Sequence, residues 1–403
     1  MLAAGCGASG GSDSGGSAKD VSEVKIGATL PLTGAEARAG GLYKRGYELA
    51  VKQRNDAGGL ELGGKKVKVN LSIADDRSDQ RSVVSLTRKV VNKDRVDAML
   101  GTYSTSLSVA QVAIPESAGV PYVNGGGASS PIYRPEGKTN KWVFGTISNI
   151  KLMSKLTADW IAQGQDADKL PKPLKAAMLP ENTAHGEDYA AGLREWIKEN
   201  PGRIEIVLDE QFDEGTADFT GLLGRVKAAD ADALMVDAHL PDFINMHRTY
   251  KTLGLDHKVV TYGARGSEDE AKKALGESTD FILSAQWWSG RLEDEASKKF
   301  IAAYKSAYGV EPEWYAALAY DTANVLMSAI EEAGTVEKEA VRKALSEMEY
   351  SPAVLPGGKI TFPADNGHQA TNGFVITQNM PGGKTELVWP EKFATADGKV
   401  PGS

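Results

Sequence analysis

Residues 24–34 read Val24-Lys-Ile-Gly-Ala-Thr-Leu-Pro-Leu-Thr-Gly34. The first seven are a mostly apolar run of strand length, and Pro31 ends it. Beyond the turn, Gly40–Asn55 carries Leu42, Tyr43, Gly46, Tyr47, Leu49 and Ala50 at helical spacing. Lys66–Ile73 then alternates through Val67, Val69, Leu71 and Ile73, the period of a strand. Ser82–Asn92 returns to helical spacing. Val96–Leu100, Ser106–Ser117 and Val120–Val123 follow as strand, helix and strand. A βαβαβαβ order implies a parallel sheet covered by helices on both faces.

The pattern restarts downstream. Strands are expected at Trp142–Gly145, Ala176–Leu179, Ile204–Leu208, Ala233–Val236, Val259–Tyr262 and Phe281–Ser284, with helices between several of them. Three more helices are expected around Glu293–Tyr308, Glu313–Ala333 and Glu337–Glu347. Short strands, broken at Asn366-Gly367, Asn372-Gly373 and Gly382-Gly383, fill 358–389. The late helices and strands make no obvious third domain and fit segments returning to the two earlier units.

Composition bounds the function. With 403 residues, 41% hydrophobic and 25% charged, the chain can bury a large core. No run approaches the roughly 20 apolar residues of a membrane helix. The net charge of −8 argues against a nucleic-acid partner. The one cysteine, Cys6, excludes an internal disulfide. It follows Met1-Leu-Ala-Ala-Gly5 and precedes a glycine- and serine-rich tract to Asp20, the composition of a flexible tether. Small residues before a cysteine and a polar linker after it resemble a bacterial lipobox, the acylated site that follows a signal peptide. The leucine stands one residue earlier than that pattern prefers.

In open parallel sheets, ligands bind beyond the carboxyl ends of the strands. Those ends here carry Pro31–Gly34 with Arg38-Ala-Gly40, Gly101-Thr-Tyr-Ser-Thr-Ser106 and Asn124-Gly-Gly-Gly-Ala-Ser-Ser-Pro131. In the second unit they carry Pro180–Gly186, Asp237-Ala-His-Leu-Pro241 and Gly263-Ala-Arg-Gly266. Glycine lets the backbone approach a ligand, and hydroxyls and N–H groups entering a helix suit an anion. Part of the excess of glycine, 44 residues, concentrates there. The sequence carries no P-loop, no dinucleotide fingerprint and no nucleophile elbow. His239 and His247 lack a paired ligand at metal spacing. Asp75, Asp76 and Asp79 read as an acidic strand end capping the next helix, and Glu268–Glu270 as a helix N-terminus. No enzyme, cofactor or metal is expected.

Several of these stretches, in order, resemble the type I periplasmic binding proteins of ABC importers, in the leucine/isoleucine/valine-binding branch. They are Gly27-Ala-Thr-Leu-Pro-Leu-Thr-Gly34 with Gly40, Asn55-Asp-Ala-Gly-Gly59, Gly63-Gly64, Asp75-Asp76 and Gly101-Thr-Tyr-Ser-Thr105. Gly119-Val-Pro-Tyr122, Ala128-Ser-Ser-Pro131, Asp218-Phe219 and Gly358-Lys-Ile-Thr-Phe362 continue the series, and His185-Gly186 stands where the family often has Tyr-Gly. The resemblance spans roughly Val24 to Pro390. It implies two doubly wound, Rossmann-like lobes joined by three crossovers, with ligand in the cleft between them. The expected lobes are 21–143 plus 287–357 and 144–286 plus 358–403, after a tether of 1–20. Hinge closure would capture a small carboxylate-bearing ligand, a branched-chain or other amino acid first and an aromatic or aliphatic organic acid second; an α/β enzyme and a sensory ligand-binding domain are the remaining alternatives. A membrane permease would receive it from a monomeric receptor outside the cytoplasm, anchored through Cys6.

By the same resemblance, Ser104 or Thr105 and the main chain of Gly127, Ala128 and Ser129 would hold the carboxylate. Tyr103 would line the side-chain pocket, and His185 would close from the second lobe, where His239 also stands. Where amino-acid binders place an acid for the ammonium, the stretch Gly263–Gly266 offers Arg265. Asp237 would then supply the acid from the neighbouring strand end. If Arg265 and Arg38 both point inward, the ligand is more acidic or lacks an amine. Trp287 or Trp288, near a crossover, would stack on the ligand or pack in the hinge.

Overall fold

A computed structural model describes residues 21–401. The tether and Cys6 lie outside the described residues. Two sheets form the frame. The first is built from β1 (Glu23–Leu30), β2 (Leu60–Leu62), β3 (Lys65–Asp75), β4 (Ala98–Leu100), β5 (Tyr122–Asn124) and β6 (Val143–Gly145). Its helices are α1 (Ala37–Asp56), α2 (Gln80–Lys89), α3 (Thr105–Ala118) and the single turn α4 (Ser130–Tyr133). The strand order is β2-β3-β1-β4-β5-β6. Every pairing is parallel except the β2–β3 hairpin.

The second unit runs α5 (Ile150–Asp166), β7 (Leu174–Pro180), α6 (Ala184–Glu199), β8 (Ile204–Asp209), α7 (Thr220–Ala228) and β9 (Ala233–Asp237). It continues through α8 (Leu240–Thr252), β10 (Val259–Tyr262), α9 (Asp269–Leu275) and β11 (Leu283–Gln286). The chain then forms α10 (Glu295–Tyr308), α11 (Trp314–Ala333), α12 (Lys338–Glu347) and the hairpin of β12 (Glu349–Tyr350) with β13 (Ile360–Thr361). It ends on β14 (Val375–Met380) and β15 (Lys384–Trp389). The second sheet has the order β15-β14-β11-β10-β9-β7-β8, parallel except where β14 and β15 join antiparallel.

The late helices cover the first sheet. α11 lies along α1 and over β4 and β5, with Ala316, Ala317, Leu318 and Ala319 fully buried. Gly46 of α1 permits the contact, because a Cβ there would stand 2.5 Å from the Ala316 carbonyl oxygen. β14 and β15 extend the second sheet.

Two details differ from the sequence reading. β6, read as the first strand of the second unit and cut by a boundary at 143/144, pairs with β5 as an edge of the first sheet. The segment 358–370, assigned to the second lobe, also stays with the first. Phe362 packs edge-on to Phe144 at 5.4 Å, and the Gly145 N–H donates to the His368 carbonyl at 2.9 Å. The third crossing therefore falls near 370–374. Strand length explains the error, since three- and two-residue strands carry no period of their own.

The three crossings touch one another. The Trp287 indole N–H donates to the Ser148 carbonyl at 3.0 Å, and the Ser148 hydroxyl donates to the Asn372 carbonyl at 2.7 Å. One point of the molecule thus fastens the chain's three passages between the sheets.

Candidate functional site

Strand order reverses beside β1 in the first sheet, between β3 and β4, and beside β7 in the second, between β8 and β9. Such switch points open a crevice at the strands' carboxyl ends. The two crevices face each other. Tyr103, Ser104, Thr105, Gly126 and Ala128 come from the first sheet, and His185, His239 and Arg265 from the second. With Ile147, Trp287 and Trp314 they wall a small cavity of about 10 Å³, room for about one water with the lobes in this closed arrangement.

On the first side, Ser104 is the N-cap residue of α3 and makes no capping bond with its side chain, so its hydroxyl is not spent on the helix. The Thr105 hydroxyl accepts the Ala128 N–H at 3.2 Å. Asn124 Oδ1 accepts the N–H groups of Gly126, at 2.6 Å, and Gly127, at 3.1 Å. Gly126 has no room for a side chain: a Cβ would stand 2.1 Å from the Thr102 carbonyl oxygen. Gly127 and Ser129 lie outside the wall. The Gly127 N–H is taken by Asn124 and its carbonyl by the Tyr133 hydroxyl at 2.7 Å. Ser129 is fully buried, and its hydroxyl has no protein partner.

On the second side, each basic group is held by an acid. His185, in the first turn of α6, shares a 2.6 Å bond between Nδ1 and Asp237. His239 Nδ1 lies 2.7 Å from Glu181 Oε2, and Glu181 Oε1 accepts the His239 N–H. Burial works against the charge on His239, but the Glu181 and Glu36 carboxylates overcome it and push the imidazole up to about 10. Arg265 is 4% exposed and reaches across the cleft. It donates to the Tyr103 hydroxyl at 2.7 Å and the Tyr315 hydroxyl at 2.9 Å, with Glu268 at 3.5 Å. Its ring neighbour is Trp314, 5.0 Å from the guanidinium carbon to the centroid.

Asp237 thus orients His185 rather than facing the cavity, and it is outside the wall. Arg38 is outside it too. From α1 it bonds Glu268 of the second unit at 2.9 Å and Glu313 at 2.6 Å, so it ties the units together beside the cleft. Burial pushes the Glu268 carboxyl up, while Arg265 and Arg38 pull it back. Trp287 lines the cavity, packed on Trp314 at 4.9 Å and Phe374 at 5.1 Å. Trp288 points away, against Phe300 and the Ser297 hydroxyl.

Four groups escaped the sequence reading. Glu181 had a signal, since it stands at the end of β7. Glu268 read only as a helix start. Trp314 and Tyr315 begin α11, about 50 residues past Arg265, with nothing local to mark them. Glu36, Glu214 and His239 bring one donor atom each within 4.8 Å of one another, and the His239 charge accounts for the acids gathering there. In the acidic strand end after β3, Asp79 caps α2 through the Ser82 N–H at 2.8 Å. Asp75 accepts from the N–H groups of Leu32, Thr33 and Arg77, and Asp76 takes the Thr102 hydroxyl at 2.6 Å.

Two facing doubly wound units with a cavity between their strand ends match a family model described as periplasmic binding protein over residues 23–384. The chain belongs to the periplasmic binding protein family. It is 24% identical over 385 residues to the Leu/Ile/Val-binding protein homolog 8 of Brucella abortus, covering 93% of each chain. Its fold is that of the branched-chain amino acid substrate-binding protein LivJ of Streptococcus pneumoniae, solved with isoleucine. The TM-score is 0.76 at 24% identity, covering 91% of this chain and 100% of that one. It is likewise that of an R. palustris solute-binding protein solved with benzoate, with TM-score 0.76, 21% identity and coverage of 91% and 95%. No helix among the described residues is long and apolar enough to cross a membrane.

Proposed function

We propose that the chain is the solute-capturing receptor of an ABC importer, binding a small carboxylate in the cavity between its lobes without chemical change. The observation that carries this reading is the pairing of the two strand-end crevices. Hydroxyls and a helix start on one side meet basic side chains on the other, and neither half encloses a ligand alone. The carboxylate is received by Ser104 and Thr105, with Ser129 behind them, as hydroxyl donors at a helix N-terminus suit an anion. His185, His239 and Arg265 close over it from the second lobe. Related proteins of this fold hold isoleucine or benzoate, and both ligands carry a carboxylate.

The lobes divide at the three crossings near 146–149, 287–293 and 370–374, the hinge of capture and release. The receptor works as a monomer outside the cytoplasm, held to the membrane through an acylated Cys6, and its closed form presents both lobes to a permease.

A thermal-shift screen of amino acids and organic acids tests the reading. A ligand at 100 times its Kd adds about 2.7 kcal/mol to stability, readily seen as a raised Tm. A structure with such a ligand bound but Ser104 and Thr105 uncontacted would refute the site. A screen in which no carboxylate raises Tm would refute the function.

A further inference from the structure

The donors and acceptors on the cavity wall are unequally divided. Among the described residues that line it there is no aspartate or glutamate, while His185, His239 and Arg265 all face it. The acids of the second lobe sit behind the basic groups. Asp237 is on His185, Glu181 on His239 and Glu268 on Arg265. Glu36 and Glu214 gather at His239 and are likewise outside the wall. An ammonium on the ligand would therefore lie beside the Arg265 guanidinium and the His239 imidazolium, with no carboxylate on the wall to accept its protons. That position is costly. A carboxylate meets the hydroxyls of Ser104 and Thr105 on one side and cationic N–H groups on the other.

The apolar part of the wall is flat. Tyr103, Trp287 and Trp314 are each 3% exposed, and Ile147 is the one aliphatic branch among them. The rings are held by contacts outside the cavity. Tyr103 stacks on Tyr43 at 5.3 Å, Trp287 lies against Phe374, and Trp314 stacks on Tyr315 at 3.6 Å. Rings fixed in this way are ordered before a ligand arrives, so an aromatic ligand that contacts them does not have to order them. The Trp314 indole N–H is buried with no protein partner, one more donor and no acceptor.

We propose that the site selects an aromatic carboxylate that carries no amine. The inference rests on the carboxylate-receptor reading above and narrows it.

Calorimetry on the full chain with matched pairs tests it: 3-phenylpropanoate against phenylalanine, 4-methylpentanoate against leucine, and benzoate beside them. In each pair only the ammonium differs. The acid without the amine should bind at least tenfold tighter than its amino acid. Benzoate or 3-phenylpropanoate should bind tighter than 4-methylpentanoate and quench tryptophan fluorescence. Trp287→Leu should weaken the aromatic acids by more than it weakens 4-methylpentanoate. Equal or tighter binding of phenylalanine or leucine overturns the proposal and leaves the carboxylate receptor standing. So does a preference for 4-methylpentanoate over both aromatic acids. If no member of either pair, nor benzoate, binds, the proposal falls, while the receptor reading falls only if the wider screen finds no carboxylate that raises Tm.

Discussion

Glu268→Gln tests whether the two lobes are held by a shared buried carboxylate. Glu268 is 2% exposed and serves three groups: Arg38 at 2.9 Å, the Tyr315 hydroxyl at 2.7 Å and Arg265 at 3.5 Å. Arg38 and Tyr315 belong to the first lobe, so two of the three contacts span the cleft. The amide keeps the shape and one acceptor oxygen but removes the charge. Breaking one partner of a buried ion pair costs about 3–5 kcal/mol, and the retained acceptor puts this change near the lower end, about 3 kcal/mol. Opening the lobes lets water reach Arg265 and Arg38, so the cost falls on the closed form. At 1.4 kcal/mol per tenfold, closure becomes unfavourable by about a hundredfold relative to the native chain. Ligand affinity falls with the population of the form that binds. Glu270→Gln is the control. Its side chain is 59% exposed and 3.4 Å from Arg38, and such pairs contribute under about 1 kcal/mol. Small-angle scattering of the ligand-free chains should show a larger radius of gyration for Glu268→Gln and none for Glu270→Gln. If both match the native chain, and the Kd of a bound carboxylate is unmoved, the carboxylate does not govern closure.

Three further outcomes follow from the same contacts. Ser104→Ala should weaken a bound carboxylate by about tenfold, the value of one hydrogen bond to a charged group, with Tm unchanged because the hydroxyl caps nothing; calorimetry reads both. His239 is held protonated by Glu181 well above its ordinary value, so the native state binds the extra proton and its contribution is complete below about pH 6.5. It is lost as pH rises toward about 10, so chemical denaturation should show the native chain losing more stability between pH 7 and 10 than His239→Gln does. Gly126→Ala puts a Cβ 2.1 Å from the Thr102 carbonyl, and circular dichroism should show a Tm lowered by several degrees, matching a loss of about 1–3 kcal/mol.

Periodicity made the long elements readable. α1 and β3 each show a period over enough residues to separate 3.6 from 2, and both stand within a few residues of where that period puts them. β2, three residues between Gly58-Gly59 and Gly63-Gly64, is too short to show one. β6 is visible as a strand, but its membership of the first sheet depends on pairing with β5, which no local pattern encodes. The site divides in the same way. Tyr103, Ser104, Thr105, Ala128, His185, His239 and Arg265 stand at carboxyl ends of parallel strands, and topology alone brings those ends to one place. Trp314 and Tyr315 reach the cavity because α11 returns across α1, and on a helix whose residues are nearly all buried nothing separates a cavity wall from core.

The arrangement behind the cavity also decides how a ligand's charge is met. His185 with Asp237, His239 with Glu181 and Arg265 with Glu268 are basic groups each paired to an acid on the side away from the ligand. The pairing gives each basic group an acid partner, which lets the groups stay buried when no ligand is there. It also fixes each basic group by its outer atoms, so the inner N–H groups are aimed before binding and little is lost in ordering them. Attraction then comes from oriented donors at contact distance rather than from a net positive field. Field attraction is screened beyond roughly 8 Å in physiological salt, whereas contact hydrogen bonds in a buried site are screened much less. Carboxylate affinity should accordingly change less than about threefold between 50 mM and 500 mM salt. A fall of more than tenfold in calorimetry would show that net charge, not donor geometry, holds the ligand.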